Sequence, residues 1–171
     1  MTIKVSKPAI NIREKLNDLD FDKVPFQKMP AGSVVQVVEA FTTTLASMGG
    51  STYGNTNLSG SIALTKASNK ILVLVSQPFT FRTTTTSERK GYYRLLRDGT
   101  ELTVSVYNSW TANSSNETRL PSVNSMYYLD SPNTLEEITY TTEHKLNNSA
   151  ADLYAQHENT KSTIILMEIA Q

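Results

Sequence analysis

From residue 31 to the C-terminus, short apolar stretches alternate with polar segments, a pattern that predicts β-strands rather than helices. The stretches that predict strands are Ser33–Phe41, Ser61–Thr65, Lys70–Ser76, Phe79–Arg82, Gly91–Arg97, Thr100–Tyr107, Ser125–Leu129, Thr134–Leu146, Ser162–Ala170 and, more weakly, Asp152–Gln156. The segments that predict loops are Ala46–Ser61, Thr83–Lys90 and Asn108–Ser122. Phe79–Arg82 continues Lys70–Ser76 after Pro78, and Asp152–Gln156 is a strand or a turn, so the count is eight or nine strands. This number over about 140 residues predicts an all-β fold, a jelly-roll-like antiparallel β-sandwich.

One turn in this pattern is specified by its residues. Asp98-Gly99 separates two strand-like stretches, Gly91–Arg97 and Thr100–Tyr107. Asp-Gly favours the two-residue turns in which both central residues adopt positive φ, and these turns match the twist of a β-hairpin. The sequence therefore predicts a tight hairpin here, with Gly99 at positive φ.

Two strands are apolar at consecutive positions instead of alternate ones. They are Val34–Val38 and Ile71–Val75, and the C-terminal strand adds a further apolar face with Ile165, Met167 and Ile169. An antiparallel strand in a lone sandwich normally has one face in water. We expect the second face to be covered by another copy of the chain, as a homo-oligomer and by analogy a trimer. The alternative is that the N-terminal segment and the long loops cover it.

The N-terminal 30 residues differ from the rest, since they hold three of the six prolines and 10 of the 32 charged residues. We expect an arm, residues 1–30, followed by the sandwich, residues 31–171. Within the arm, Asn11–Asp20 predicts a short helix with a cap at its start. Ile12, Leu16 and Leu19 form one apolar stripe along it. Ten residues make a marginal helix alone, so the stripe packs either on the sandwich or on a neighbouring protein.

Charge and composition exclude several classes of function. The chain has 16 basic and 16 acidic residues, no cysteine and two histidines. This balance argues against a general nucleic-acid binder. Without cysteine there is no disulfide framework and no thiolate metal site. Thr, Ser and Asn make up 53 of the 171 residues, which is typical of exposed strand faces and turns.

No pattern in the chain predicts catalysis, a cofactor or a metal. His144 and His157 lack the spacing of a metal site, and we expect both to lie at the surface. The longest apolar run, Ile71–Val75, is far shorter than the roughly 20 residues that a membrane helix requires. The start of the chain lacks the apolar core of a secretion signal. We therefore expect a non-enzymatic protein with no membrane span.

Three aromatic residues in or beside the predicted loops are candidates for a ligand surface. They are Tyr53, Tyr107 and Trp110. Aromatic faces beside polar side chains can stack sugars, so these residues are candidates for binding a glycan on a host surface. The alternative for Trp110 is that it folds back to cap the core.

Several stretches resemble known viral sequences. The opening Thr2–Leu19 resembles the N-terminal segment of virion and tail-fibre-like proteins of marine bacteriophages, of the cyanophage and pelagiphage type. The sandwich resembles a small structural domain of the same phages. The stretches that carry this second resemblance are Gly32–Val38, Asn69–Ser76, Gly91–Thr100, Tyr127–Pro132 and Ser162–Ala170.

The resemblance implies a component of a phage particle, located in the virion, with no catalytic residues to transfer. Two functions agree with it. The first is a capsid decoration, or a short surface projection, held to other virion proteins through residues 1–30. The second is a tail-associated module that binds a receptor glycan. The number of copies per particle distinguishes them.

Overall fold

The computed structural model describes residues 29–83, 88–111, 118–147 and 151–171, with the backbone alone described at residues 88, 89, 106–111 and 118. The predicted helix Asn11–Asp20, with Ile12, Leu16 and Leu19, lies outside the described residues. The described chain forms ten β-strands and one short turn of 3-10 helix, His157–Asn159. The strands are β1 (Val34–Thr42), β2 (Ala46–Gly49), β3 (Gly54–Ile62), β4 (Lys70–Thr83), β5 (Glu88–Arg97), β6 (Thr100–Thr111), β7 (Thr118–Asp130), β8 (Ile138–Leu146), β9 (Asp152–Ala155) and β10 (Ser162–Ile169).

The strands form two antiparallel sheets. In sheet A the order is β1-β10-β4-β7, and β9 and β2 extend the sheet along the second half of the long strand β4. In sheet B the order is β3-β8-β5-β6. Two facing sheets in these orders form a jelly roll. The prediction of an all-β antiparallel sandwich is confirmed.

The core lies between the sheets and follows from alternation along each strand. In β4, Ile71, Val73 and Val75 point inward and are buried, as Tyr93 and Tyr140 are on the opposing sheet. The intervening β4 residues lie on the other face, so one strand supplies both the core and an outer surface.

A hydrogen-bonded network of buried polar groups crosses this core. Tyr93 donates its hydroxyl hydrogen to the side-chain oxygen of Gln77, and Thr142 Oγ1 donates to the same oxygen at 3.1 Å. The Gln77 amide nitrogen lies 2.7 Å from the side-chain amide of Gln156, which also contacts Ser162 Oγ at 2.6 Å. Burying a polar group costs free energy unless the group is hydrogen-bonded. Because this network joins strands of both sheets, it favours the one alignment of the sheets in which all of these bonds form.

The Asp98-Gly99 hairpin is confirmed. It joins β5 to β6, with φ of 47° at Asp98 and 79° at Gly99. The Asp98 carboxylate also accepts a hydrogen bond from the backbone N–H of Thr139 at 2.9 Å. This turn is therefore held both by its own backbone conformation and by the neighbouring strand β8.

The segment Ala46–Ser61 was expected to be a loop, and this prediction is wrong. It contains β2 and most of β3, separated by a turn at Gly50–Tyr53. The glycines, serines and asparagines of β3 have low strand propensity. Thr56, Leu58 and Ile62 nevertheless alternate inward and are buried, and pairing with β8 supplies the backbone hydrogen bonds.

Other predicted boundaries also change. The predicted loop Asn108–Ser122 is largely strand, because β6 continues to Thr111 and β7 begins at Thr118. The stretch Phe79–Arg82 continues Lys70–Ser76 through Pro78 in one strand, β4, in which Pro78 lies opposite Val123 of β7. The stretch Thr134–Leu146 becomes a strand only from Ile138.

Candidate functional site

The outer face of sheet A carries a continuous apolar surface. The strand registers place Val37 beside Met167, Met167 beside Leu72, and Leu72 beside Leu129, so one apolar row crosses all four strands. The next row contains Glu39, Ile165, Leu74 and Tyr127. Residues in such cross-strand rows lie about 5 Å from their neighbours, so their side chains touch.

Much of this surface is open in the single chain. Exposure reaches 55% at Val37, 52% at Leu129 and 79% at Tyr127. Val34, Phe41 and Val123 on the same two edge strands are also exposed. Monomeric soluble proteins rarely expose contiguous apolar patches of more than a few hundred Å². We define the apolar face as the outward apolar side chains of these two rows, which are Val37, Met167, Leu72, Leu129, Ile165, Leu74 and Tyr127.

Sequence reasoning located part of this face. It identified the two-sided apolar strands Val34–Val38 and Ile71–Val75 and the outward face of the last strand. It missed Tyr127 and Leu129, because the apolar residues of β7 were assigned to a strand with no indication of which face they occupy. The described residues do not cover the outer face of these strands. Coverage of that face by another copy of the chain therefore stays a prediction.

The outer face of sheet B has the opposite character. Its outward residues include Thr139, Thr141 and Glu143 on β8 and Arg94 on β5. Arg94 donates to Glu143 at 2.6 Å and to Glu101 at 3.0 Å. The sandwich is thus two-sided, with one charged and hydroxyl-rich surface and one apolar surface.

Tyr53, a candidate for sugar stacking, lies at the edge of this polar surface. The Arg94 guanidinium carbon is 3.8 Å from the centre of its ring, and Lys145 Nζ is 4.4 Å away. Burial raises the pKa of the Tyr53 hydroxyl, and the nearby Glu101 carboxylate raises it further. The ring face is therefore already engaged by cations of the same chain.

Trp110 was expected within a loop, and this placement is wrong, whereas Tyr107 lies in a strand, as the predicted strand Thr100–Tyr107 required. Both belong to β6, where Tyr107 lies opposite Gly91 and Trp110 opposite Arg89. The hairpin pairing continues past the point where the polar sequence suggested an end. The side chains of Tyr107 and Trp110 lie outside the described part of the chain, so a shared site for the three aromatic candidates stays a prediction.

The two histidines differ. His157 is partly exposed, as expected, but His144 is wholly buried, which corrects the surface prediction. His144 faces inward from β8 against the ring of Tyr93, with ring centres 5.9 Å apart. Burial lowers the pKa of His144 to about 3, so its imidazole is neutral at physiological pH.

Glu168 is the most enclosed acidic group in the described chain. Its carboxylate accepts hydrogen bonds from Asn69 at 2.7 Å, from Thr65 at 2.8 Å and from Gln36 at 2.7 Å. Burial would raise the pKa of Glu168, but these hydrogen bonds outweigh it and hold the pKa below its ordinary value. With its oxygens occupied in this way, Glu168 anchors β10 instead of offering a free carboxylate for chemistry.

Across the described ranges, no three His, Asp or Glu side chains are grouped so that they could hold a metal ion. Nor does a helix in those ranges have the length and apolar character needed to cross a membrane.

No protein-family model matches the chain, and a comparison with curated proteins finds no match either. Solved structures similar to it include T=1 particles of infectious bursal disease virus, at 13% identity and a TM-score of 0.38 over 96% of this chain and 41% of that chain. The Gt strain of the same virus gives 12% identity and a TM-score of 0.38 over 81% and 39%. Dimeric latent PorU from Porphyromonas gingivalis gives 10% identity and a TM-score of 0.35 over 82% and 14%. The chain spans less than half the length of each of these proteins.

Proposed function

We propose that this protein is a non-enzymatic structural subunit of a virus particle, a bacteriophage virion, and that it assembles with copies of itself through the apolar face. The observation that carries the proposal is the unbroken row Val37, Met167, Leu72 and Leu129 across four strands. Full burial of one such side chain contributes roughly 1.5–3 kcal/mol. A second subunit that covers this row removes these side chains from water and so gains that free energy of burial.

The contrast between the two sheets supports this arrangement. The outer face of sheet B carries the Arg94, Glu101 and Glu143 network and can stay in water, while the apolar face is turned to a neighbouring subunit. In a cluster of three subunits, the apolar faces line the shared interior and the charged faces form the outside. Residues 1–30 then attach the cluster to other virion proteins, as a capsid decoration or a short surface projection.

The oligomeric state tests the interface. We expect light scattering on the full chain at micromolar concentration to show an oligomer, most favourably a trimer. Val37→Glu should dissociate it, because a charge buried in an apolar interface is costly. The matched control is Val104→Glu, since Val104 is an exposed, outward valine on the edge strand β6 of the other sheet. A wild-type protein that is monomeric, or equal dissociation by both variants, rejects this interface.

The number of copies per particle tests the position in the virion. Densitometry of purified virions on a denaturing gel should give hundreds of copies for a capsid decoration. A few copies or a few tens would indicate a tail tip and favour the receptor-binding alternative. Absence of the protein from purified virions rejects both.

A further inference from the structure

Two charged residues interrupt the apolar rows on the outer side of sheet A. Glu39 lies on β1 beside Ile165, and Lys70 lies on β4 beside Ile169. Their rows flank the row of Met167, one on either side. We propose that Lys70 of one copy forms an ion pair with Glu39 of the next copy, so that these two charges set how the copies align. This rests on the proposed function, in which copies meet through the apolar face.

Within one chain the two side chains are too far apart to meet. Glu39 and Lys70 are separated by two strand spacings, about 10 Å, and by two rows, about 14 Å. Their backbone positions therefore lie about 17 Å apart, which exceeds the combined reach of a glutamate and a lysine side chain. A pair between these residues can only join two copies.

The contacts within the chain leave room for this pair. Glu39 Oε1 lies 3.2 Å from Lys161 Nζ, which is also 4.2 Å from the centre of the Phe41 ring. Because Phe41 lies one row further from Met167, Lys161 approaches Glu39 from the far side. A carboxylate can accept from more than one cation, so Glu39 can keep Lys161 and accept from a second lysine. Among the described residues, no carboxylate forms an ion pair with Lys70.

Covering the apolar face gives these charges an energetic role. A second copy over the row of Met167 also removes water from the rows beside it. A charge that loses water without gaining a partner is costly. Among the outward residues of these three rows, Glu39 is the one acidic residue and Lys70 the one basic residue. An identical copy therefore brings the carboxylate that Lys70 lacks within its own chain.

The placement of the charges also selects an alignment. Each copy presents a carboxylate on one side of Met167 and an ammonium group on the other. Contact between unlike sides of two copies is attractive, whereas an alignment that brings Lys70 against Lys70 is repulsive. Head-to-tail contacts of this kind form a closed ring when the rotation between subunits closes. A cluster of three then contains one Lys70–Glu39 pair at each interface.

Charge exchange tests the pair, with light scattering on the full chain as the measurement. Lys70→Glu and Glu39→Lys should each weaken association by roughly tenfold or more, since each brings like charges together. The double variant, Lys70→Glu with Glu39→Lys, should recover most of the wild-type association, because the pair is restored in reverse. The matched control is Lys66→Glu, which makes the same change of charge on an exposed lysine between β3 and β4 and should assemble like the wild type.

Carbodiimide coupling locates the pair without any substitution. The reagent joins a lysine amine to a carboxylate that it touches, forming an amide with loss of water and without a spacer. In the wild-type oligomer we expect mass spectrometry to find a link between Lys70 and Glu39, which can only join two copies. A link between Lys161 and Glu39, which lie within 3.2 Å in one chain, is the internal control.

The outcomes separate failure of the pair from failure of the interface. A monomeric wild-type chain rejects the apolar interface and the pair together. An oligomer that dissociates in Val37→Glu but associates normally in both Lys70→Glu and Glu39→Lys rejects the pair alone. A folded double variant that does not recover association, or a Lys161 link without a Lys70 link, also overturns the pair. If a charge-exchange variant fails to fold, the crosslink on the wild type decides.

Discussion

Arg97 on β5 and Asp130 on β7 form an ion pair that links the two sheets, with Arg97 Nη1 donating to both carboxylate oxygens at 2.8 and 2.9 Å. The Asp130 carboxylate is buried and also accepts the hydroxyl of Tyr140 at 2.7 Å and the backbone N–H of Ser131 at 2.8 Å. Burial raises the pKa of Tyr140, and its hydrogen bond to Asp130 raises it further. This pair closes the core at the end of the sandwich where the Asp98-Gly99 hairpin lies.

Replacing this carboxylate should be costly. Asp130→Ala leaves Arg97 and the Tyr140 hydroxyl without their partner, and breaking a buried pair typically costs about 3–5 kcal/mol. Urea denaturation should show that loss in the free energy of unfolding. The control is Glu101→Ala, which removes a more exposed partner of Arg94 and should cost less than about 1 kcal/mol. Similar losses in the two variants would show that Asp130 has no special role.

The hairpin gives a prediction about backbone conformation. A Cβ added to Gly99 would meet no atom within 4 Å, so a larger side chain causes no clash. Its φ of 79° is nevertheless unfavourable for other residues, and Gly99→Val should destabilise the protein by about 1–2 kcal/mol. The melting temperature measures this, with Thr100→Val, one residue further along the strand, as the control. An unchanged melting temperature for Gly99→Val would contradict the turn.

These two sites show what the sequence could and could not predict. The hairpin is local, since Asp98-Gly99 carries the required positive φ in its own residue types. Strand β3 escaped prediction because its hydrogen bonds come from β8, far along the chain, and outweigh weak local propensity. The burial of His144 likewise depends on residues far along the chain, among them Tyr93 on the neighbouring strand β5. The apolar face could be predicted in part. The sequence shows which residues of each strand are apolar, but the alignment of Val37 with Leu129 in one row follows only from the strand registers.

Buried His144 should make stability depend on pH. Its pKa is about 3 in the folded chain and about 6.5 in the unfolded chain, so the unfolded state binds more protons in between. Stability should therefore fall as the pH drops below about 6.5, by about 2 kcal/mol at pH 5 relative to pH 7.5.

Urea denaturation at pH 7.5 and pH 5 measures this difference. His144→Leu should remove it, although the substitution itself changes the stability at both pH values. His157→Asn, on the partly exposed histidine, is the matched control and should retain it. If the difference in unfolding free energy between the two pH values persists in His144→Leu, other titrating groups cause it.

The arm gives the prediction that bears most directly on assembly. Leu16 and Leu19 form most of the apolar stripe of the predicted helix, and each buried leucine contributes roughly 1.5–3 kcal/mol. If the stripe docks on another virion protein, changing both leucines to Ser should weaken co-sedimentation with particles by orders of magnitude. The melting temperature of the sandwich should barely change, because no part of its core is lost.

The control introduces the same residue, serine, on the polar side of the predicted helix, as Asn17→Ser together with Asp18→Ser. This variant should bind particles like the wild type, since neither position belongs to the stripe with Ile12. If the leucine variant instead lowers the melting temperature by several degrees, the stripe packs on its own sandwich. If the helix is an anchor, the leucine variant mainly loses co-sedimentation, and if it is a part of the core, the variant mainly loses thermal stability. Comparing the melting curve with co-sedimentation therefore decides the role of residues 1–30.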